Sequence, residues 1–342
     1  RALRRRELFR IATSDLVGRL QLADVGAALT QLTAAVVEGG LAIATRAIEE
    51  QRGSPLPTRL LVVAMGSLGA GEPGYGSDAD VLFVHDPLEG ADETDAQEAA
   101  TAVVAELRRI LAEPGPDPAL TLDADLRPEG RNGPVVRSLD SYAAYYERWS
   151  LVWEAQALLR ATPLAGDPEL AQRFVALIDP LRWPAQGLSE ADVREVRRMK
   201  ARIESERLPR GADPRRHLKL GRGGLADVEW CLQLLALCHA HDVPGLRQQA
   251  TVPGLRAARD AQLLDPDDFD VLAHAWTFVA RLRNATVLWR GRSVDSLPPA
   301  IRDLDGVARI LGYHAGEAVV MDDDYRAATR RARAAAERVL YG

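Results

Sequence analysis

The run Leu60-Leu61-Val62-Val63-Ala64-Met65-Gly66-Ser67, followed after a glycine-rich interval by Ser77-Asp78-Ala79-Asp80-Val81-Leu82-Phe83-Val84-His85, decides how this chain folds. Each apolar run is short, continuous and bounded by turn residues, the pattern of a buried strand. The interval from Gly66 to Ser77 is rich in glycine and reads as a loop. A Gly-Ser pair at a strand end lets the backbone come close to a phosphate, with N–H groups and the hydroxyl as donors. Asp78 and Asp80 are separated by one residue, and positions i and i+2 of a strand face the same way. Paired carboxylates are hard oxygen ligands for Mg²⁺, which grips phosphate oxygens in turn. Leu120 to Leu126 alternates apolar and acidic residues, as a half-buried strand does, and puts Asp123 and Asp125 on one face. A third carboxylate from that strand would complete a site for two ions about 3.5–4 Å apart. A lone Asp-x-Asp is common in surface turns. The company of Gly66-Ser67, two apolar strands and an acidic third strand points instead to metal-dependent nucleotidyl transfer.

Outward from this centre the pattern is mostly helical. Residues 1–55 carry apolar positions such as Leu8, Ile11, Leu16, Val36, Leu41 and Ile43 near helical spacing, with Gly39-Gly40 a weak spot. Asp92 to Leu111 is again helical, and after Pro134 helices are expected almost to the end. Ser189 with Asp192 resembles a capping box, and Asp265-Pro266 starts a helix running towards Arg290. The fold class expected is α+β. A small α/β unit begins at residue 58, after an N-terminal helical segment (1–57). The linker expected from composition, Arg182-Trp183-Pro184-Ala185-Gln186-Gly187, divides a catalytic domain (58–182) from a C-terminal helical bundle (183–342).

The 342 residues balance 43 Lys and Arg against 49 Asp and Glu, for a net charge of −6. That balance conceals an asymmetry: Leu60 to Leu107 holds ten acidic residues and no Lys or Arg, whereas Arg194 to Arg222 holds eleven basic residues and four acidic ones. An acidic stretch holds a polyphosphate only through bridging cations. The basic stretch meets anions, or else is a solvated helix face with pairs such as Arg202 and Glu206. It lacks interleaved aromatics, which with the negative net charge speaks against nucleic acid. No apolar run approaches the ~20 residues that span a bilayer, so no membrane partner is expected. Cys231 and Cys238 match no metal spacing and read as reduced core thiols of a cytoplasmic protein. His217, His239 and His241 show no ligand spacing. The absence of an initiating Met suggests a piece of something longer.

Gly66-Ser67-Leu68-Gly69-Ala70-Gly71-Glu72-Pro73-Gly74-Tyr75-Gly76-Ser77-Asp78-Ala79-Asp80-Val81-Leu82-Phe83 closely resembles the signature of the glutamine synthetase adenylyltransferases. Three further blocks follow in that family's order. They are Asp123-Ala124-Asp125-Leu126-Arg127-Pro128 with Gly130 and Gly133, Trp153-Glu154-Ala155-Gln156-Ala157-Leu158-Leu159-Arg160-Ala161, and Lys219-Leu220-Gly221-Arg222-Gly223-Gly224-Leu225-Ala226-Asp227-Val228-Glu229-Trp230. Asp125 and Thr162 stand where the family usually has Arg. Family members hold two homologous halves, one attaching AMP to glutamine synthetase and one removing it. Tyr75-Gly76-Ser77, His85-Asp86 and the chain's ending resemble the C-terminal, attaching half.

The resemblance implies a polymerase-β-like nucleotidyltransferase domain and transfer of AMP from ATP to a tyrosine hydroxyl of glutamine synthetase. Pyrophosphate is released, and glutamine synthetase activity falls as part of nitrogen regulation. It implies Asp78, Asp80 and Asp123 as catalytic metal ligands for Mg²⁺ or Mn²⁺. Gly66, Ser67 and Ser77 would lie at the nucleotide, with Arg127, Arg160, Lys219, Asp227 and Glu229 as further contacts. For Arg127 and Arg160 a structural tie is the competing expectation, and for Asp227 and Glu229 compensation of a helix dipole. The alternatives are the half that phosphorolyses AMP-tyrosine to ADP, and a non-catalytic module that binds PII-type signal proteins.

Overall fold

The computed structural model describes residues 2–115, 118–149, 151–206 and 208–342. Arg207, one of the eleven basic residues counted above, lies outside them. The chain divides into two compact units. The first comprises Arg1–Val17, Ala23–Pro73 and Asp78–Arg182; the second comprises Gly18–Leu22, Gly74–Ser77 and Trp183–Gly342.

The first unit opens with helices α1 (Ala2–Leu16) and α2 (Leu22–Arg52). Strand β1 (Thr58–Ala64), a one-turn helix α3 (Gly66–Gly69) and strand β2 (Ala79–Pro87) follow. Next come α4 (Glu93–Ala112), β3 (Leu122–Asp123), β4 (Val136–Ser138), α5 (Leu139–Trp149), α6 (Val152–Leu158), β5 (Thr162–Gly166) and α7 (Pro168–Arg182). β1 and β2 pair antiparallel from Thr58↔Pro87 to Ala64↔Val81. β5 runs antiparallel along the other edge of β1, while the free edge of β2 takes first β3 and then β4, both parallel.

Alternation along the two central strands makes two cores. Leu60, Val62, Ala64, Val81 and Phe83 face one way and pack with Val37, Leu41 and Ala44 of α2 and with Ala100, Val103 and Leu107 of α4. Leu61, Val63, Met65, Leu82 and Val84 face the other way, against Tyr142 and Tyr146 of α5 and Phe174 and Ile178 of α7. Tyr142 and Phe174 meet edge-on at 5.5 Å and 82°, a contact worth about 1 kcal/mol beyond the area it buries. Burial on both faces explains why the strands read as continuous apolar runs rather than alternating ones.

Gly39-Gly40 does not interrupt α2. A Cβ on Gly40 would lie 2.9 Å from Leu107 Cδ1, so this glycine lets α4 approach closely. By length and composition alone α2, with 31 residues, is long and apolar enough to cross a bilayer. This corrects the expectation that no run comes near that length. Its buried positions Val25, Leu29, Leu32, Val37, Leu41, Ala44 and Ile48 recur at helical spacing, and those from Val37 onwards join the core with β1 and β2.

Three other expectations need correction. Leu120 to Leu126 is not a seven-residue strand: only Leu122–Asp123 pairs with β2. The chain then leaves the ladder because Asp123 Oδ1 accepts the Asp125 N–H at 2.8 Å, a local bond that competes with sheet pairing. The interval after β1 is not all loop, since it opens with α3. The region beyond Pro134 is not wholly helical, since it contributes β4 and β5. Among the described residues β5 pairs with β1 alone, at the edge of the sheet, where Pro163 is tolerated.

The second unit contains α8 (Glu190–Glu206), α9 (Leu225–His239), α10 (Thr251–Asp260), α11 (Pro266–Arg290), α12 (Ile301–Ile310) and α13 (Ala318–Tyr341). Ser189 and Asp192 form the reciprocal cap of α8, each accepting the other's backbone N–H at 3.2 Å. Asp265 accepts the Asp267 N–H at 2.8 Å, Pro266 opens α11, and left-handed Gly291 (φ 63°) ends it. α9 packs against α8, α10, α11 and α13, and it is apolar on most of its surface for that reason. Cys231 on α9 is buried and Cys238 half-buried; both are free, and burial pushes both thiols up.

Candidate active site

β2 and β3 run parallel with Ala79 opposite Leu122 and Asp80 opposite Asp123, so the two carboxylates leave adjacent strands in register. Register partners on neighbouring strands stand about 5 Å apart with side chains on the same face. Both are half-buried, whereas Asp78, just before the first residue of β2, is exposed. Across the other edge, the Met65 N–H donates to Asp80 O at 2.8 Å and the chain turns at Gly66. Gly66 has φ +54°, and a Cβ there would lie 2.5 Å from Asp80 Oδ2. The turn therefore requires glycine twice over: for its left-handed backbone and for the carboxylate beneath it.

α3 is locked from below. A Cβ on Gly69 would fall 1.8 Å from Arg160 O and 2.7 Å from Ala64 O, and Thr162 Oγ1 donates to Gly69 O at 2.9 Å. Thr162 thus uses its hydroxyl on the turn that carries Ser67. Gly69→Ala is expected to destabilise the first unit by about 3 kcal/mol, because the collision is with backbone that must move. Gly39→Ala, at an open helical position, is expected to be neutral or mildly stabilising. Urea unfolding of the two variants checks the contrast, and equal midpoints would refute it.

Gly66, Asp80 and Asp123 are thus brought together, with Ser67, half-buried, on the turn beside them. Asp125 does not share the face of Asp123. It lies in the turn after β3, where its carboxylate pairs with Arg131 at 2.6 Å. Arg127 is buried, and three of its guanidinium nitrogens donate to backbone oxygens of Ala124, Arg131 and Gly133. Arg160 is buried, and its carbonyl backs Gly69. In the neighbouring block, Glu154 is buried in a cap of α6. It accepts the Leu151 N–H at 3.0 Å and the Tyr145 hydroxyl at 2.8 Å, and burial holds its carboxyl above the ordinary range.

His85 and Asp86 lie five and six residues along β2 from Asp80, roughly 17 and 20 Å away at about 3.3 Å per residue. His85 is buried between Thr58 Oγ1 and Gln97 Oε1, 3.0 Å from each, and burial pushes its imidazole below the usual range. Asp86 pairs with Arg173 at 2.5 Å. Both serve the far end of the sheet and do not stand beside the carboxylates.

The remaining candidates belong to the second unit. Ser77 Oγ accepts the Gly74 N–H at 3.1 Å and Arg283 Nη1 at 3.2 Å, and Asn284 Oδ1 accepts the Tyr75 N–H at 3.2 Å. Lys219 is exposed, and Glu229 is half-buried on α9. Asp227 is buried: Oδ1 accepts Lys200 Nζ at 2.7 Å, and Oδ2 accepts the Gly223 N–H at 2.7 Å and Arg333 Nη1 at 3.2 Å. Lys200, 27 positions away, carries no local pattern that marks it as the partner of Asp227.

Among the described residues, no three His, Cys, Asp or Glu side chains stand ready to hold a metal ion together. The donor set still fits a hard divalent cation. Asp80 and Asp123 offer register-paired, partly exposed carboxylate oxygens, and Gly66 keeps the space over Asp80 free of a side chain. Such a site leaves coordination positions for water and phosphate oxygens, as Mg²⁺ prefers.

A family model described as glutamate-ammonia ligase adenylyltransferase matches residues 1–177, and one described as GlnD PII-uridylyltransferase matches residues 197–340. The chain is 55% identical over 355 residues to a bifunctional glutamine synthetase adenylyltransferase/adenylyl-removing enzyme of Streptomyces avermitilis, covering 100% of this chain and 35% of that protein. Enzymes of the same description from Streptomyces coelicolor and Mycobacterium avium are 52% and 50% identical. They cover 100% and 99% of this chain, which spans 35% and 34% of their lengths. The chain thus spans about a third of the length of the curated relatives it matches.

Proposed function

The chain belongs to the glutamate-ammonia ligase adenylyltransferase family, and we propose that it moves AMP from ATP to a tyrosine hydroxyl of glutamine synthetase. The observation that carries this function is the in-register pair Asp80 and Asp123, with Asp80 beneath the Gly66 turn. We assign the first unit to the polymerase-β-like nucleotidyltransferases, supported by its mixed sheet and by this placing of an acidic residue on the strand next to Asp80.

In the reaction the phenol oxygen bonds to the α-phosphorus as the bond to pyrophosphate breaks, and the phenolic proton is taken up by a base. Asp80 and Asp123 would hold a divalent cation, Mg²⁺ or Mn²⁺, with Asp78 as a further ligand, and the bound cation would supply Lewis-acid neutralisation of phosphate charge. A free phenol, with pKa about 10, is a poor nucleophile at neutral pH, and Asp123 helps take its proton. Backbone N–H groups at Gly66 and the Ser67 hydroxyl orient the outer phosphates. What the chain contributes is positioning and charge.

The names of the relatives carry both attachment and removal of AMP, so phosphorolysis of AMP-tyrosine to ADP is the second reading. Attachment is favoured by the likeness of Tyr75-Gly76-Ser77 and His85-Asp86 to the attaching half. A PII-type protein is a proposed partner of the helical region, supported loosely by the match of residues 197–340. Mass spectrometry decides between the directions. Unmodified glutamine synthetase incubated with this chain, ATP and Mg²⁺ is expected to gain one AMP on a tyrosine. No gain there, with loss of AMP from modified glutamine synthetase in phosphate, would establish removal instead.

A further inference from the structure

We infer that Arg127 is a positioning residue for Asp123, acting by clamping the turn into which Asp123 runs rather than by touching phosphate. The inference rests on the proposed role of Asp123. Nε donates to Gly133 O at 3.0 Å, Nη1 to Ala124 O at 2.8 Å and Nη2 to Arg131 O at 3.2 Å, so one guanidinium spans both ends of the turn. The side chain is buried, and reaching out to a phosphate would strip these carbonyls of a partner.

The turn needs such a clamp. Glu129 and Gly130 are successive left-handed residues (φ 63° and 56°), a conformation that a glutamate adopts only where its surroundings impose it. Gly133 has no room for a side chain, since a Cβ would lie 2.3 Å from Pro128 O. The Glu129 carboxylate is fastened to Arg137 of β4, which also lies over the Tyr145 ring. Arg127 holds the interior while Glu129 and Arg137 tie the turn to the sheet. The consequence for the site passes through one bond. Asp123 Oδ1 accepts the Asp125 N–H at 2.8 Å, so the pose of the carboxylate depends on where the turn places that amide. Ala124 O, clamped by Arg127, belongs to the peptide unit that carries the Asp125 amide.

The test compares Arg127→Lys and Arg127→Ala in the full chain, by steady-state transfer and by hydrogen exchange of the peptide covering residues 122–133. Lysine is a competent phosphate ligand but cannot span three carbonyls. If Arg127 clamps the turn, both variants lose about a hundredfold in kcat, as a misplacement of about 1 Å costs. KM for ATP then stays within about twofold of the parent, and the 122–133 peptide exchanges faster while β1 and β2 stay protected. If Arg127 is a phosphate contact, lysine restores transfer, KM for ATP rises and exchange is unchanged, which overturns the inference. Faster exchange with unchanged kcat also overturns it, because the clamp would then be structural only. Should Arg127→Ala fail to fold, Arg127→Lys carries both readouts. An inactive parent chain would count against the proposed function, and the exchange measurement would still report whether the clamp exists.

Discussion

Asp123→Asn is expected to lower AMP transfer by about 10³-fold or more, while the affinity for ATP with Mg²⁺ changes by less than about threefold. A thousandfold loss corresponds to about 4 kcal/mol of transition-state stabilisation, within what one charged ligand of a catalytic cation supplies. The substitution keeps the fold. Asparagine has the same shape, and its amide oxygen still accepts the Asp125 N–H that Asp123 Oδ1 accepts now. It removes one negative charge and the capacity to take a proton from the phenol. Asp80 and Asp78 would retain the nucleotide's cation. Initial rates by mass spectrometry of glutamine synthetase, with a calorimetric titration of ATP and Mg²⁺, separate the outcomes. Transfer at the parent rate removes Asp123 from the chemistry. An equal loss of binding and rate makes it a nucleotide ligand without a separate catalytic part.

The central strands were legible because burial on both faces leaves an unbroken apolar run, and Leu61 and Val62 belong to different cores without breaking it. Capping chemistry at Ser189 and Asp265 was legible for a different reason, since each cap is a local bond between residues two or three apart. β4 and β5 were not legible. Three and five residues long, they owe their strand character to partners on β2 and β1 that lie far away in sequence. The same limit applies at the candidate site. The residue types in Gly66-Ser67 and Asp78-Ala79-Asp80 could be read directly, but the register that sets Asp80 opposite Asp123 exists only in the sheet. Alternation placed Asp125 beside Asp123 because it assumes that a strand continues, and the bond from the Asp125 amide to Asp123 ends it. The basic residues were hardest to read. An arginine bound for a phosphate and one that gathers three carbonyls look alike in sequence, as Arg127 does.

Asp227→Ala is expected to destabilise the second unit by about 3–5 kcal/mol, the cost of removing one partner from a buried ion pair. Lys200 and Asp227 are both buried, 2.7 Å apart, and Glu204 and Arg333 complete the cluster. Burial alone would lower the Lys200 ammonium. The charge and hydrogen bond of Asp227, with those of Glu204, overrule it and hold the group above the ordinary lysine range. A raised folded-state value means that this stabilisation is fully present below the unfolded value of about 10.5 and is lost only as pH climbs through the folded one. In the parent, Lys200 therefore gives no slope of stability near neutrality. Without Asp227 the burial penalty on Lys200 is opposed only by Glu204, so its folded value drops. Once that value lies below the unfolded one, the unfolded state binds the proton more readily, and the variant's stability rises with pH between the two values, where the parent's is flat. Gly223 loses its acceptor as well, loosening the turn that lies against Thr329 of α13. Hydrogen exchange of α8, α9 and α13 peptides, followed against pH in both proteins, measures the loss and its slope. Had Asp227 been a nucleotide contact instead, the variant would keep the parent's exchange protection and lose affinity for ATP.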